Sequence, residues 1–241
     1  MSYLLDLEGT PKDFSFPDTS LALKDPDGLL AVGGCLSVER LYNAYKNGIF
    51  PWYSEDDPIL WWSPSERAVI FPDDLYVNRS LRKFFRKNPY RVTLNSAFQR
   101  VIQACAYIPR GPGNGTWITE EMISAYVALH HAGYAHSIEI WQDEALVGGL
   151  YGVLIGQIFC GESMFSAEPN ASKLALVALR NHFQPAGLTL IDCQLENQHL
   201  INMGAISITR EAFIKKLKLS QSPIAKKFLQ ATELNPLDVG N

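Results

Sequence analysis

Apolar positions are scattered irregularly over the first sixty-odd residues and become periodic only after Glu66. In the early stretch, Phe14 to Pro17 leads into Pro26-Asp27-Gly28, a turn in which Pro presets φ and Gly supplies a positive φ. Gly33-Gly34 follows, and then Ser37, which is placed to N-cap a helix over Val38–Lys46 that stops at Asn47-Gly48. Phe50 to Tyr53, an acidic loop Glu55 to Asp57 and Leu60 to Pro64 complete a stretch rich in aromatics and turn formers. The pattern predicts a small irregular α/β lobe over residues 1–65.

Beyond Glu66 the periods are cleaner. Arg67–Phe71 reads as a strand, Ser80–Asn88 as a basic helix, and Arg91–Leu94 as a strand. Asn95 or Ser96 is placed to cap a helix running to Ala106. A Gly/Pro loop, Pro109–Gly115, precedes a helix that starts near Thr119, with two carboxylates at its positive end, and finishes at Gly133. Ala135–Gln142 alternates as a strand. Ala145–Ile155 and Gln157–Phe165 form a long hairpin turning at Gly156. Asn170 then caps an apolar helix over Lys173–Phe183, and Leu188–Ile191 is a buried strand running into Asp192-Cys193-Gln194. A short helix to Met203-Gly204, a strand Ile206–Thr209 and a helix Glu211–Lys218 follow; the polar tail from Ser220 is expected to pack loosely. Strands with helices inserted between them predict an α/β domain (α+β, mixed sheet) over residues 66–241.

Composition narrows the functional classes. The chain has 241 residues, 47% of them hydrophobic and 19% charged, enough apolar side chain for a sizeable core. A formal net charge of −4 gives no global electrostatic case for nucleic acid, so any such contact requires a local patch. The four cysteines are scattered with no C-x-x-C pair, and with no cleavable leader in view the expectation is a cytoplasmic protein with reduced thiols. The longest apolar stretches, around Leu146 to Cys160, are broken by glycines and too short to span a bilayer. No H-E-x-x-H or paired-cysteine zinc pattern, phosphate-binding P-loop or G-x-S-x-G elbow is present, so no metal site is expected.

Several places could carry chemistry. Glu162 sits inside the apolar strand Ile158 to Phe165; such a carboxylate is an edge group facing water, paired, or turned toward a ligand, because burying it alone is costly. Gly148, Gly149, Gly152 and Gly161 weaken strand interiors and mark a bulge or a close approach of ligand. At the end of the next strand, Asp192 and Gln194 stand at i and i+2 and would share a face. They could orient or deprotonate an amine, or Asp192 could cap the helix near Asn197. Arg79, Arg82, Lys83, Arg86, Lys87 and Arg91 occur with no acid among them, and on a helix Arg79, Arg82, Lys83 and Arg86 follow i, i+3, i+4, i+7 spacing and make one cationic face. This is either a solvated face or a stripe for phosphates. Trp52, Trp61, Trp62 and Trp117 sit in Pro/Gly-rich loops, where a ring stacks on a nucleobase or plugs the core. Arg110 to Gly115 matches the R-x-x-G-x-G pyrophosphate loop of coenzyme A-dependent acetyltransferases, although a helix and not a strand precedes it. Cys193, with His199 nearby, could be a thiol nucleophile or simple packing.

Together these residues resemble a known family. Asp27–Gly34 (DGLLAVGG), Gly48–Trp52 (GIFPW), Leu60–Pro64 (LWWSP), Gly115–Thr119 (GTWIT), His136–Glu139 (HSIE), Leu146–Gly149 (LVGG), Phe159–Ser166 (FCGESMFS), Asn170–Lys173 (NASK) and Ile191–Gln194 (IDCQ) resemble the bacterial leucyl/phenylalanyl-tRNA–protein transferases, in order, from about Phe16 to Phe213. The resemblance implies a small N-terminal lobe plus a C-terminal acetyltransferase-like domain without coenzyme A, and no cofactor. It implies a catalytic group of Asp192, Gln194 and Glu162, with Asn197 supporting Asp192. By the same resemblance, Leu150, Phe159, Met164, Leu176 and Ile191 line the pocket for an apolar side chain unbranched at Cβ. The resemblance also implies that Trp52 and Trp117 hold the terminal adenosine of the tRNA. Cys35 and Ala167 depart from the family pattern, where an Asp and a basic residue are expected.

The activity so implied moves Leu, Phe or Met from aminoacyl-tRNA to the α-amine of a protein beginning with Arg or Lys; a monomer with no membrane partner is the default expectation. Aminolysis of an ester is downhill and needs neither energy input nor metal. The amine, with a pKa near 7.7–8, must be neutral, and the reactants must be aligned. The expectation is that Asp192 orients the amine or takes its proton through Gln194 while Glu162 helps hold the aminoacyl group; Asp192 could also act only electrostatically.

Overall fold

The computed structural model describes residues 5–7, 14–87, 90–108 and 117–235. The Pro109–Gly115 loop, and with it the acetyltransferase-like Arg110 to Gly115 match, lies outside the described residues.

Two sheets organise the chain. The smaller is built from β1 (Leu5–Asp6), β2 (Leu29–Val32), β3 (Phe50–Pro51) and β4 (Leu60–Trp62), in the order β1-β2-β4-β3, with helix α1 (Val38–Lys46) between β2 and β3. Ser37 caps α1 as the sequence predicts, its hydroxyl accepting from the Arg40 N–H. Trp61 is a core plug whose indole N–H donates to the Gly33 carbonyl.

The larger sheet contains β5 (Glu66–Ile70), β6 (Arg91–Leu94), β7 (Ala135–Gln142), β8 (Ala145–Ile155), β9 (Ile158–Ser166), β10 (Leu190–Gln194), β11 (Ile206–Thr209) and β12 (Thr232–Leu234). Their order is β11-β5-β10-β9-β8-β7-β6-β12, antiparallel throughout except for the parallel pair β9–β10. The chain is therefore an α/β protein with a mixed sheet. Its helices are α2 (Arg79–Lys87), α3 (Phe98–Tyr107), α4 (Glu120–His131), α5 (Ala171–Phe183), α6 (Gln198–Ile201) and α7 (Arg210–Leu219).

Both faces of this sheet are covered, which explains the near-continuous apolar runs of β8 and β9. Tyr151, Val153 and Cys160 face a core shared with α1, α3 and α4; Leu150, Leu154, Phe159 and Ile191 face a second core shared with α2 and α5. Gly148 is required where the first turn of α5 crosses β8, because a Cβ there would collide with the Ala171 methyl.

Three sequence expectations are corrected. As far as residue 235 the tail after Ser220 is not loose: it adds β12 to the edge of the large sheet beside β6, and the Phe228 and Leu229 carbonyls accept hydrogen bonds from His182 and Asn95. Asn170 takes a left-handed conformation (φ 65°) and makes no side-chain cap; α5 starts at Ala171, and the Ser166 hydroxyl accepts the Ser172 N–H. Nor do Asn95 or Ser96 cap α3. That helix starts at Phe98, and the buried Glu139 reaches across from β7 to accept the Ser96 and Ala97 N–H groups together with the Thr93 and Ser137 hydroxyls.

The His136–Glu139 motif is thus a scaffold device. Removing Glu139 orphans four donors, each worth about 1–3 kcal/mol when buried and unpaired. Glu139→Ala is expected to lower the unfolding free energy by roughly 3 kcal/mol in a urea titration, with the m-value unchanged; a loss below about 1 kcal/mol would mean that water replaces the carboxylate.

Candidate active site

Two bulges, side by side, open the large sheet. Along β8–β9, Tyr151 faces Ser163 and Gly152 faces Gly161, so Glu162 is an extra residue with no partner across the ladder. Along β10–β5, Asp192 faces Val69 and Gln194 faces Ala68, leaving Cys193 over. A bulge bends its strand and re-aims the unpaired side chain. The parallel pairing of β9 with β10 ends at Cys160–Asp192, so the two strands part where both bulges begin.

Gln194 is left-handed (φ 57°). Strict alternation, which would put Asp192 and Gln194 on one face, therefore does not hold; the bulge instead turns Asp192, Cys193 and Gln194 all toward one hollow. That hollow has a volume of about 450 Å³. Leu150, Phe159, Met164, Leu176 and Ile191 form its apolar wall, and Glu162, Gln194 and Asn197 its polar side. A second chamber of about 260 Å³ adjoins it, sharing Trp117, Glu162, Cys193, Gln194 and Asn197 and reaching Trp52. The structure thus brings together the three residues of the expected catalytic group, the five of the apolar wall, and both tryptophans expected to face a ligand. Trp52 is 43% exposed and lies at the open end, its carbonyl accepting from the Trp62 indole.

Asp192 and Arg67 form the buried centre of this region, 0% and 2% exposed. The guanidinium binds both carboxylate oxygens, Nε to Oδ1 at 2.8 Å and Nη2 to Oδ2 at 2.7 Å. Burial disfavours the charge on Arg67, but the Asp192 carboxylate more than offsets this and holds its pKa above the usual value. Arg67 also donates to the Gly48 carbonyl at 3.2 Å and lies against the rings of Phe50 and Phe213, 4.7 and 4.6 Å from their centroids. Removing one partner of such a pair costs about 3–5 kcal/mol. Asp192 also fixes the bulge, since its Oδ1 accepts the Gln194 N–H at 3.0 Å.

Asn197 was expected to support Asp192, or Asp192 to cap the helix near it. In the structure Asn197 itself caps α6, accepting the Leu200 N–H at 2.9 Å, and the support of Asp192 comes from Arg67. Sequence reasoning passed over Arg67; the available signal was a charged residue opening an otherwise apolar strand, Ala68 to Ile70.

Glu162 has two neutral donors. The Tyr126 hydroxyl donates to Oε2 at 2.9 Å and the Gln194 amide to Oε1 at 3.2 Å, while the Tyr45 hydroxyl bonds that of Tyr126. Burial pushes the Glu162 carboxyl up to about 7, against the lowering effect of the two tyrosines. Burial also keeps both tyrosines protonated, raising their pKa well above the usual value. Burial likewise raises the Cys193 thiol, helped by Asp192, which removes the thiolate that a nucleophilic role requires. His199 lines the larger hollow, and burial followed by the charge of Lys173 lowers its pKa, which favours the neutral ring. Among the described residues no cluster of three or more His, Cys, Asp or Glu could hold a metal ion.

The basic helix is formed, with Leu81 and Phe85 in the core and Arg79, Arg82, Lys83, Arg86 and Lys87 all exposed.

Comparison with known proteins identifies the family. The profile described as "Leucyl/phenylalanyl-tRNA protein transferase" matches residues 69–218, and that of the N-terminal domain of the same proteins matches residues 34–65. The chain belongs to the leucyl/phenylalanyl-tRNA–protein transferase family. It is therefore an enzyme. Among curated relatives of that name, the chain is 52% identical to the protein of Idiomarina loihiensis over 225 residues, covering 93% of this chain and 95% of that one. It is 56% identical to that of Pectobacterium carotovorum over 206 residues (86% and 87%) and 55% identical to that of Cellvibrio japonicus over 208 residues (86% and 88%). Among solved structures, L-PGS from Bacillus licheniformis is similar at a TM-score of 0.40 and 12% identity, covering 63% of this chain and 50% of that one. A GCN5-related N-acetyltransferase from Kribbella flavida is similar at 0.35 and 13% (68% and 58%). These two likenesses are too distant to bear on the chemistry of this chain.

The hydrogen bond from Tyr126 stabilises the charged form of Glu162. In Tyr126→Phe the Glu162 carboxyl is expected to titrate above its present value of about 7, as followed by carbon-13 NMR of labelled glutamate; an unchanged or lower titration would show that the tyrosine does not govern it.

Proposed function

We propose that the enzyme moves leucine, and also phenylalanine and methionine, from aminoacyl-tRNA to the α-amine of proteins that begin with Arg or Lys, forming a peptide bond that marks them for degradation. It works as a cytoplasmic monomer without a membrane partner; among the described residues no helix is long and apolar enough to cross a membrane.

One observation carries the reading: an apolar hollow and an aromatic-flanked chamber meet at a shared polar wall containing Glu162 and Gln194. An aminoacyl-adenosine has the same layout. Its side chain is apolar, its base is flat, and its reactive ester lies between them. In this reading the side chain occupies the recess of Leu150, Phe159, Met164, Leu176 and Ile191, and the adenine lies by Trp52 and Trp117, where stacking contributes ~1–3 kcal/mol per base. A recess of that volume takes leucine, methionine or an aromatic ring, and a flexible Met164 adapts to each. Valine and isoleucine are rejected by their branched Cβ. One methylene in an apolar pocket is worth only ~1–3 kcal/mol, so methionine is used as well.

Asp192 has a positioning role here, supported by Arg67: it anchors the bulge that presents Gln194 to the amine. Asn197 closes the same wall. The exposed face of α2, with Arg79, Arg82, Lys83, Arg86 and Lys87, tracks phosphates of the tRNA and supplies the local patch that a net charge of −4 requires.

The direct test mixes the protein with radiolabelled leucyl-tRNA and an acceptor protein starting with Arg. Label is expected on the acceptor, and none on the same protein starting with Ala. Replacing Arg82, Lys83 and Arg86 together by Ala is expected to raise the KM for tRNA with kcat unchanged. It should also flatten the log–log salt dependence by about 2, at ~0.7–0.9 per lost phosphate contact. An unaltered salt slope would remove α2 from the tRNA site.

A further inference from the structure

We infer that Glu162, and not Asp192, is the proton acceptor of the transfer, and that Arg67 is the positioning residue that divides the two carboxylates into these roles. The inference rests on the aminoacyl-transfer reading and assigns the path of the proton within it.

The hydrogen bonds of the two acids differ in kind. Both Asp192 oxygens hold the Arg67 guanidinium, and one of them also holds the Gln194 N–H. For Asp192 to take a proton, a charge-assisted bond must break and a cation buried to 98% must lose its salt-bridged carboxylate. Arg67 cannot follow the proton away, because the Gly48 carbonyl and the Phe50 and Phe213 rings hold it in place. Glu162 carries no such commitment. Its partners are a phenol and an amide, both neutral, and it lines both chambers where ester and amine meet. Displacing the neutral Gln194 amide from Oε1 leaves no buried charge without its partner, so an amine can take its place at Glu162.

The step balances within the site. The amine nitrogen attacks the ester carbonyl carbon, the C–N bond forms and the bond from carbon to the ribose oxygen breaks. The surplus proton on nitrogen passes to Glu162 and from there to the departing ribose oxygen, which leaves as a hydroxyl. Glu162 returns to its carboxylate form. Tyr126 and Tyr45 stay protonated throughout.

The groups facing Glu162 set where it titrates. Tyr45 comes from α1, Tyr126 from α4, Arg67 from β5, Asp192 from β10 and Cys160 from its own strand. Burial is the largest influence and raises the carboxyl; the two tyrosines lower it, Asp192 raises it and Arg67 lowers it, with a result of about 7. Below that pH Glu162 is already protonated and cannot accept, so transfer rises with pH through about 7. The amine adds its own rise at about 7.7–8.

The test is the pH profile of single-turnover transfer from leucyl-tRNA to an Arg-initiated peptide, in the wild-type protein, Glu162→Gln and Arg67→Lys. The wild-type profile is expected to show both rises. In Glu162→Gln, which is isosteric, the rate should fall ~10²–10⁴-fold and the rise near 7 should vanish, leaving the amine's alone. Arg67→Lys keeps the charge and loses the fork, so kcat should drop with KM for leucyl-tRNA little changed and the rise near 7 retained. A companion carbon-13 titration of Glu162 in the free protein needs no turnover. A rise near 7 that survives in Glu162→Gln and disappears in Arg67→Lys overturns the assignment, as does a Glu162 carboxyl titrating in the ordinary carboxylate range. Absence of wild-type transfer with both leucyl- and phenylalanyl-tRNA overturns the functional reading, whatever the titration gives.

Discussion

Asp192 and Arg67 are both removed from water, so burying either charge without the other is costly. That mutual dependence fixes more than a pair of side chains. Arg67 stands on β5 and Asp192 on β10, the Gly48 carbonyl belongs to the turn after α1, and Phe213 belongs to α7. Four segments far apart in sequence are therefore held around one ion pair. The bulge at Cys193 sits on top of it, stapled by the Gln194 N–H. Removing the pair takes away the reason for β10 to bend where β9 has already left it, and the hollow depends on that bend.

The second bulge works with the first. Because Glu162 has no partner across β8, its side chain is free to meet Tyr126 and Gln194 instead of continuing the ladder. Tyr126 and Tyr45 bring α4 and α1 into the same network, so the helix of the small sheet's segment and the strands of the large sheet act on one carboxylate. Two acids therefore lie in one site with different neighbours, one bound to a cation and the other to neutral donors. Separation of this kind is how a site obtains distinct behaviour from chemically equal groups.

Much of the scaffold was legible from local pattern. The hairpin turning at Gly156, the Ser37 and Thr119 caps, and the exposed basic face of α2 follow from period and capping chemistry that involve only near neighbours in sequence. The apolar wall and the catalytic group entered through resemblance to a family, and the hollow gathers them. What local pattern could not reach are long-range partners. Arg67 lies 125 positions from Asp192, and Tyr126 lies 36 from Glu162. The Glu139 cap on α3 bridges 42 or more positions, and the pairing of β12 with β6 joins the tail to the middle of the chain. Strand periodicity put Asp192 and Gln194 on one side for a reason that does not hold. A period of two assumes an unbroken ladder, and the left-handed residue at 194 breaks it. Gly161, beside Glu162, did point to a bulge without saying which residue it would turn outward.

The central claim is that one ion-paired strand end joins a pocket for an apolar side chain to a chamber for a flat base. A crystal structure with a leucyl-adenosine analogue, in which an amide replaces the labile ester, tests it most directly. The leucyl side chain is expected among Leu150, Phe159, Met164, Leu176 and Ile191, the adenine beside Trp52 and Trp117, and the carbonyl next to Glu162 and Gln194, with the Arg67–Asp192 pair intact. An analogue bound away from the two chambers, or one whose binding separates Arg67 from Asp192, would contradict it.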